Sequence, residues 1–243
     1  MTLPVEFFAL NYSFAQKAAS VAGIPLLDSL REYTHIFQSF NLDRDFNPAN
    51  PIWRAYLRGL PGAVDPVDWT YQFYLQRMKV APKLPPALEF GCFSFAEWAG
   101  GRIRIHFRNN DPLGASPLSR ARINARQGEL KAMFRYIRQH AAAPITVVGG
   151  SWMYAIEAYR RLFPLAFLIN AIDREVEPQF LAQWGQFLDH SNRVKTDLVC
   201  QFLENLELQT TLEGVLACFP YPVLHLECPI AVFYTFFMIG SPP

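Results

Sequence analysis

The chain reads as an α+β protein with a central mixed β-sheet and helices packed before and after it. Three observations predict this. The first 80 residues carry apolar side chains at helical spacing. From Ala87 the period changes, and Arg102–Arg108 alternates strictly, with Ile103, Ile105 and Phe107 on one face and Arg102, Arg104, His106 and Arg108 on the other. Residues 145–172, ITVVGGSWMYAIEAYRRLFPLAFLINAI, run from a β-branched stretch through two glycines into a compact helical segment that Pro164 stops, and then into a second apolar run.

The elements follow in order. Leu26, Leu30, Tyr33, Phe37 and Phe40 keep one helical stripe. Asn50-Pro51 is a cap followed by proline at the first helical position, and Ile52, Trp53, Tyr56, Leu57 and Leu60 form the face behind it. Asp65-Pro66 repeats the start signal ahead of Val67, Tyr71, Tyr74, Leu75 and Met78. Ala81–Pro86 holds three prolines and marks the boundary between a helical section, 1–85, that covers the core or forms a subdomain, and a mixed α/β core, 86–243. In the core, Leu88–Phe95 reads as a strand, Trp98–Gly101 as a turn and Arg102–Arg108 as the strand returning from it. Asn109–Ser116 is a polar loop, and Ser116-Pro117 starts a long helix to about His140 with Ile123, Leu130, Met133, Phe134 and Ile137 inward. Inserted helices follow at 176–217, where Phe180, Leu181, Trp184, Phe187 and Leu188 share one face and Leu198, Val199, Phe202, Leu203 and Leu206 another. Val223–Glu227 is a strand and Pro229–Gly240 a buried strand or helix, too short to span a bilayer.

Composition bounds the function. Of 243 residues, 51% are hydrophobic and 18% charged, which suits a large core with an apolar pocket or partner surface. A net charge of +1 argues against a dedicated nucleic-acid binder. The four cysteines include no CxxC and no close pair, so buried thiols in a reducing compartment are expected and zinc has no support. The N-terminus lacks the basic and apolar regions of a signal peptide, and the expected location is cytoplasmic. Histidines 35, 106, 140, 190 and 225 show no metal-ligand spacing, and Asp43-Arg44-Asp45 reads as a turn.

The residues that carry chemistry cluster in the core. From Arg102 to Arg138 nine Arg/Lys face two acids, Asp111 and Glu129, so an anion meets favourable potential there, the more so at a helix start with unpaired amides. His106, between arginines, is a candidate base that neighbouring cations hold neutral. Glu89 on the preceding strand is a second candidate, its facing set by a register the sequence does not fix. Tyr159 is a candidate proton donor, and Cys92, between Phe90 and Phe93, reads as an inert thiol. Gly149-Gly150-Ser151 lacks the Gly-x-Ser-x-Gly pattern, so it is read as a strand-end turn that allows close backbone approach.

The order strand, loop, long helix, strand, short helix, strand over residues 102–172 resembles the core of the GCN5-related N-acetyltransferase superfamily. The loop Asp111-Pro112-Leu113-Gly114-Ala115-Ser116 stands where that superfamily holds the pyrophosphate of acyl-CoA. Gly114 fits its signature, Ser116 is a small replacement, Asp111 replaces a donor, and Pro112 removes an amide. Ala155, Tyr159 and Leu162 match a second motif, in which Trp152 replaces an asparagine and Phe163-Pro164 a Gly-Phe. The resemblance implies an acyltransferase that moves an acyl group from a CoA or carrier-protein thioester to a small amine or hydroxyl. Gly114, Ala115, Ser116 and Arg108 would then hold acyl-CoA as co-substrate, with no tightly bound cofactor. His106 or Glu89 would act as base and Tyr159 as acid, and Arg104, Trp152 and Tyr154 would touch the acceptor. Trp53, Tyr56, Trp69 and Tyr74 would wall an apolar acceptor site, and aromatic helical faces would support a homodimer. Two alternatives stay open: a non-catalytic binding or assembly protein on a degenerate core, and an unrelated enzyme binding an anionic small molecule on the Arg102/Arg104/His106 face.

Overall fold

The computed structural model describes residues 2–42, 45–80, 88–111, 116–141, 145–173 and 181–240. In chain order it contains helices α1 (Val5–Ala22), α2 (Leu26–Glu32), α3 (Ile36–Ser39), α4 (Pro51–Gly59) and α5 (Pro66–Val80), then strands β1 (Glu89–Phe90), β2 (Phe93–Trp98) and β3 (Arg102–Phe107). Helix α6 (Ile123–His140), strand β4 (Thr146–Ser151), helices α7 (Glu157–Arg160) and α8 (Leu165–Leu168) and strand β5 (Ile172–Asp173) follow. Helices α9 (Leu181–Trp184), α10 (Thr196–Glu207) and α11 (Leu212–Leu216), strand β6 (Leu224–Pro229) and helix α12 (Ile230–Phe236) complete it. The fold is α+β with one mixed sheet. Among the described residues no helix is long and apolar enough to cross a membrane.

The chain divides into two compact units, Met1–Lys83 with Val176–Pro220, and Leu84–Glu175 with Tyr221–Pro243. The first is helical. Its α4 and α5 start where the sequence places them: Asn50 Oδ1 accepts the amides of Ile52 and Trp53 at 3.0 and 3.3 Å, and Asp65 Oδ1 those of Val67 and Asp68 at 2.8 and 3.2 Å. The stripe from Leu26 to Phe40 is two helices rather than one. Buried Asn11 on α1 accepts the His35 amide at 2.8 Å and so breaks the stripe between α2 and α3. The helices expected as an insertion in the α/β core pack with this unit instead. Phe14 of α1 meets Trp184 edge-on at 5.3 Å and stacks with Phe202 at 6.0 Å, burying all three rings. Trp53, Tyr56 and Tyr74 are buried in the same core, so they do not wall an open acceptor site or present an aromatic surface to a second copy.

The second unit is a sheet in the order β1-β2-β3-β4-β6-β5. β3 and β4 are parallel and joined through α6, and the other pairs are antiparallel. One face is covered: Ile103, Ile105, Val147, Leu226 and Cys228 pack with Leu130, Met133, Phe134 and Ile137 of α6 and with Phe167 and Phe233. The register gives the other face Glu89, Ser94, Ala96, Trp98, Arg102, Arg104, His106, Val148, Gly150, His225 and Glu227. Its rim is exposed at Trp98, Arg102, His106 and Glu227.

Three expectations shift. Leu88–Phe95 is a tight hairpin, β1 and β2, because Gly91 adopts φ +63° and turns the chain. The long helix begins at Ile123, not at Pro117: Ser116–Ser119 form a turn, and a 3-10 segment, Arg120–Arg122, leads in. The apolar run after Pro164 is helix α8 before it becomes the short β5.

Candidate functional site

The ladder between β3 and β4 stops early. β3 pairs with β2 over its whole length, and β4 with β6 over its whole length. Between β3 and β4 only Arg102–Arg104 pair with Thr146–Val148. Both strands run on, to Phe107 and Ser151, with no ladder between them, so their facing backbone groups are not spent on each other. This is the carboxyl end of the parallel pair, the place where open α/β sheets bind ligands.

Two tyrosines floor that parting on the covered face. Tyr154 stands against β4: a Cβ on Gly149 would lie 2.6 Å from its ring and hydroxyl. Tyr159 stands against β3, edge-on to Phe107 at 5.6 Å, and meets Tyr154 at 5.0 Å. Phe163 and Phe167 close the cluster from behind. Gly149 is therefore glycine for the close approach of the Tyr154 ring. Gly149→Ala is expected to cost about 1–3 kcal/mol by overpacking, read as a lower melting temperature, whereas an unchanged value would mean that the ring swings aside freely.

Burial raises the Tyr154 phenol well above its ordinary value, the Tyr159 hydroxyl and the Arg104 guanidinium offsetting part of the effect. Burial also holds Tyr159 well above its ordinary value, and Tyr154 adds to the shift. Both phenols stay protonated through neutral pH. The Tyr154 hydroxyl is buried and has no hydrogen-bond partner of good geometry, although Tyr159 lies close enough to act on its titration. A buried orphan hydroxyl beside an unzipped strand pair asks for a partner.

The remaining candidate residues are placed as follows. Glu89, Ser94 and His106 lie side by side on β1, β2 and β3 of the face opposite α6, so the two candidate bases share that face two strand spacings apart, about 9–10 Å. Glu89 accepts from Asn110 at 2.9 Å and pairs with Arg108 at 3.6 Å. Tyr159 and His106 lie on opposite faces, so the acid and base named from the sequence do not converge on one hollow. Arg104 lies over the Trp98 ring, 4.9 Å from its centroid. Trp152, in a 3-10 turn after β4, stacks on Tyr221 at 5.9 Å. Ser116 is exposed in a turn and does not start a helix, so the anion-binding helix terminus expected there is not formed. Gly114 and Ala115 lie outside the described residues.

Asp111 has a structural explanation that the sequence did not offer. Its carboxylate is buried and paired with Arg122 Nε at 2.7 Å and Arg126 Nη2 at 3.3 Å. Arg126, 1% exposed, also pairs with Glu129 at 2.7 Å and donates to the Cys92 sulfur, while Glu129 accepts the Cys92 amide at 3.0 Å. Burial raises the Cys92 thiol despite Arg126, which fits an inert thiol. This cluster fastens the β1–β2 turn, Asp111 and α6 together. Elsewhere, a cavity of about 470 Å³ lies between α6 and α12, where Arg138 covers Tyr234 and donates to the Ile239 carbonyl. None of the candidate residues lines it.

No family model, curated protein or solved structure matches the chain.

Proposed function

We propose that the α/β unit is an acyltransferase whose acyl thioester lies in the parting between β3 and β4. The observation that carries this is the ladder that ends at Arg104 and Val148 while both strands continue. The arm of a CoA thioester is extended and bears amides, and such a group completes the backbone hydrogen bonds of an unfilled strand edge as an added strand does. At the thioester end the protonated phenols of Tyr154 and Tyr159 are at hand, and exposed Arg108 lies beyond the end of β3. The β3–α6–β4 crossover supports the resemblance to the N-acetyltransferase superfamily at the residues where that resemblance lies.

The chemistry is balanced by groups beside the parting. An acceptor amine attacks the thioester carbonyl, the C–N bond forms and the C–S bond breaks. A phenol gives its proton to the departing thiolate, and a base on the face opposite α6, His106, takes the proton from the attacking nitrogen. The acceptor then reaches the carbonyl from the His106 side while the leaving sulfur is protonated from the α6 side, so acid and base act from opposite sides of the sheet.

A second reading, a binding protein without turnover, is favoured by the close aromatic packing around Tyr159 and by the engagement of Glu89 with Asn110 and Arg108. The two share the ligand site and part on chemistry. Acetyl-CoA is the probe: under both, it slows amide exchange along β3 and β4 and raises the melting temperature; only the first releases CoA when an acceptor is supplied.

A further inference from the structure

We propose that the outer surface of the helical layer over the sheet, formed by α6, α8 and α12, docks on an anionic phospholipid surface. Such docking is independent of the acyl-transfer reading.

Two features of this layer adjoin. The first is apolar. Pro229–Gly240 carries no charged side chain, and Tyr234 and Thr235 are its only polar ones. The segment buries Phe233 and Phe237 against Phe134 of α6, at 4.5 and 5.7 Å, and leaves Phe236 and Met238 exposed, Met238 at 82%. α8 abuts α12 through Phe167, which meets Phe233 at 5.0 Å, and turns Leu165 and Ile169 outward, 71% and 69% exposed. Large apolar side chains standing in water on adjoining elements mark an interaction surface. The second feature is cationic. Lys131, Arg135 and Arg138 fall at i, i+4 and i+7 on α6. Arg138 brings this stripe to α12, where it is engaged with the Tyr234 ring and the Ile239 carbonyl. Lys131 and Arg135 have no ion-pair partner among the described residues. Like charges one turn apart repel, and neither α8 nor α12 supplies an acid. The described acids of the layer are Glu129, which pairs with Arg126, and Glu157 on α7.

The occupant follows from the two together. A second copy seated face to face would add a second set of the same cations to the interface. A protein partner forms about one hydrogen bond per 100–200 Å² of interface, and Pro229–Gly240 has two polar side chains to offer. A bilayer surface suits both features: its anionic headgroups attract the cations, and the headgroup region takes exposed apolar side chains without hydrogen bonds. The cavity of about 470 Å³ between α6 and α12 adds room for part of a lipid beside Ala231, Met238 and Ile239.

Flotation of the full-length chain with vesicles tests this. The chain should rise with vesicles of phosphatidylcholine and phosphatidylserine in equal parts and stay behind with phosphatidylcholine alone, and added salt should release it. Lys131→Gln combined with Arg135→Gln should weaken partition by about tenfold or more, since each cation near an anionic surface contributes about fivefold. Leu165→Gln, Ile169→Gln and Met238→Asn combined should weaken it at least as much. Melting temperature should be unchanged in both variants: the apolar positions are exposed, and asparagine suits the left-handed backbone of Met238, φ +50°. No rise with the mixed vesicles overturns the proposal, as does binding that survives either set of substitutions. A dimer that the apolar set abolishes, or retention on poly-glutamate, in either case without vesicle binding, would assign the face to a second copy or to an acidic protein and overturn it likewise.

Discussion

Arg126→Met is expected to destabilise the α/β unit by about 3–5 kcal/mol, the cost of taking one partner from a buried ion cluster. The cluster is balanced, two arginines against Asp111 and Glu129. Methionine keeps much of the volume but removes one of the two described arginines from Asp111, and leaves Glu129 with the Cys92 amide and no described cation. Neither carboxylate gains water easily: the Asp111 side chain is fully buried, and the Glu129 side chain is 20% exposed. The loss should appear in amide exchange as faster opening of β1, β2 and α6, the elements the cluster ties, with α1 and α10 of the helical unit unaffected. Arg126→Lys should fall between, since ammonium keeps the charge but cannot reach the Cys92 sulfur and two carboxylates with one planar fork. A change below about 1 kcal/mol for the methionine variant would match the effect of an ordinary surface substitution and show that both carboxylates relax to solvent.

Removing the phenol hydroxyls is the second large effect. Tyr159→Phe and Tyr154→Phe each keep the ring that packs with Phe163, so stability should change little. The chemical step should not be spared: loss of a positioned proton donor slows transfer by about 10²–10⁴-fold. The two tyrosines form one pair, so the double variant should be no slower than the worse single one, as for residues that act as a unit. Acetyl-CoA binding, measured separately, should persist in all three. Full activity in both single variants would remove the phenols from the chemistry.

Much of the architecture was legible because it rests on local rules. Asn50-Pro51 and Asp65-Pro66 start helices by cap chemistry that two or three neighbouring residues decide. The alternation of Arg102–Arg108 sets two faces by strand geometry alone, and it does so correctly. What the sequence withheld depends on partners far along the chain. Gly91 interrupts a run that otherwise reads as one strand, and its reason, a turn packed under Glu129, lies 38 positions away. Asp111 looks like damage to an anion-binding loop, while in the fold its buried carboxylate is held by Arg122 and Arg126. The convergence of Tyr159 and His106 failed on a simple point: the ring packs against Phe107, whose side chain leaves β3 on the face opposite His106. His225 was seen only as a histidine without metal spacing, since its place beside Gly150 follows from the β4–β6 register. Nor does local periodicity reveal that a strand pair stops bonding halfway, because both strands keep their alternation beyond that point.

Amide hydrogen exchange with and without acetyl-CoA decides whether the parting between β3 and β4 is a binding site. Saturating acetyl-CoA should slow exchange of those amides in Ile105–Phe107 and Gly149–Ser151 that face the parting, with little change in the first half of β3, which is already laddered to Thr146–Val148. Unchanged exchange at those parting-facing amides under acetyl-CoA concentrations that alter exchange elsewhere, or no response anywhere in the chain, would show that the parting takes no acyl thioester.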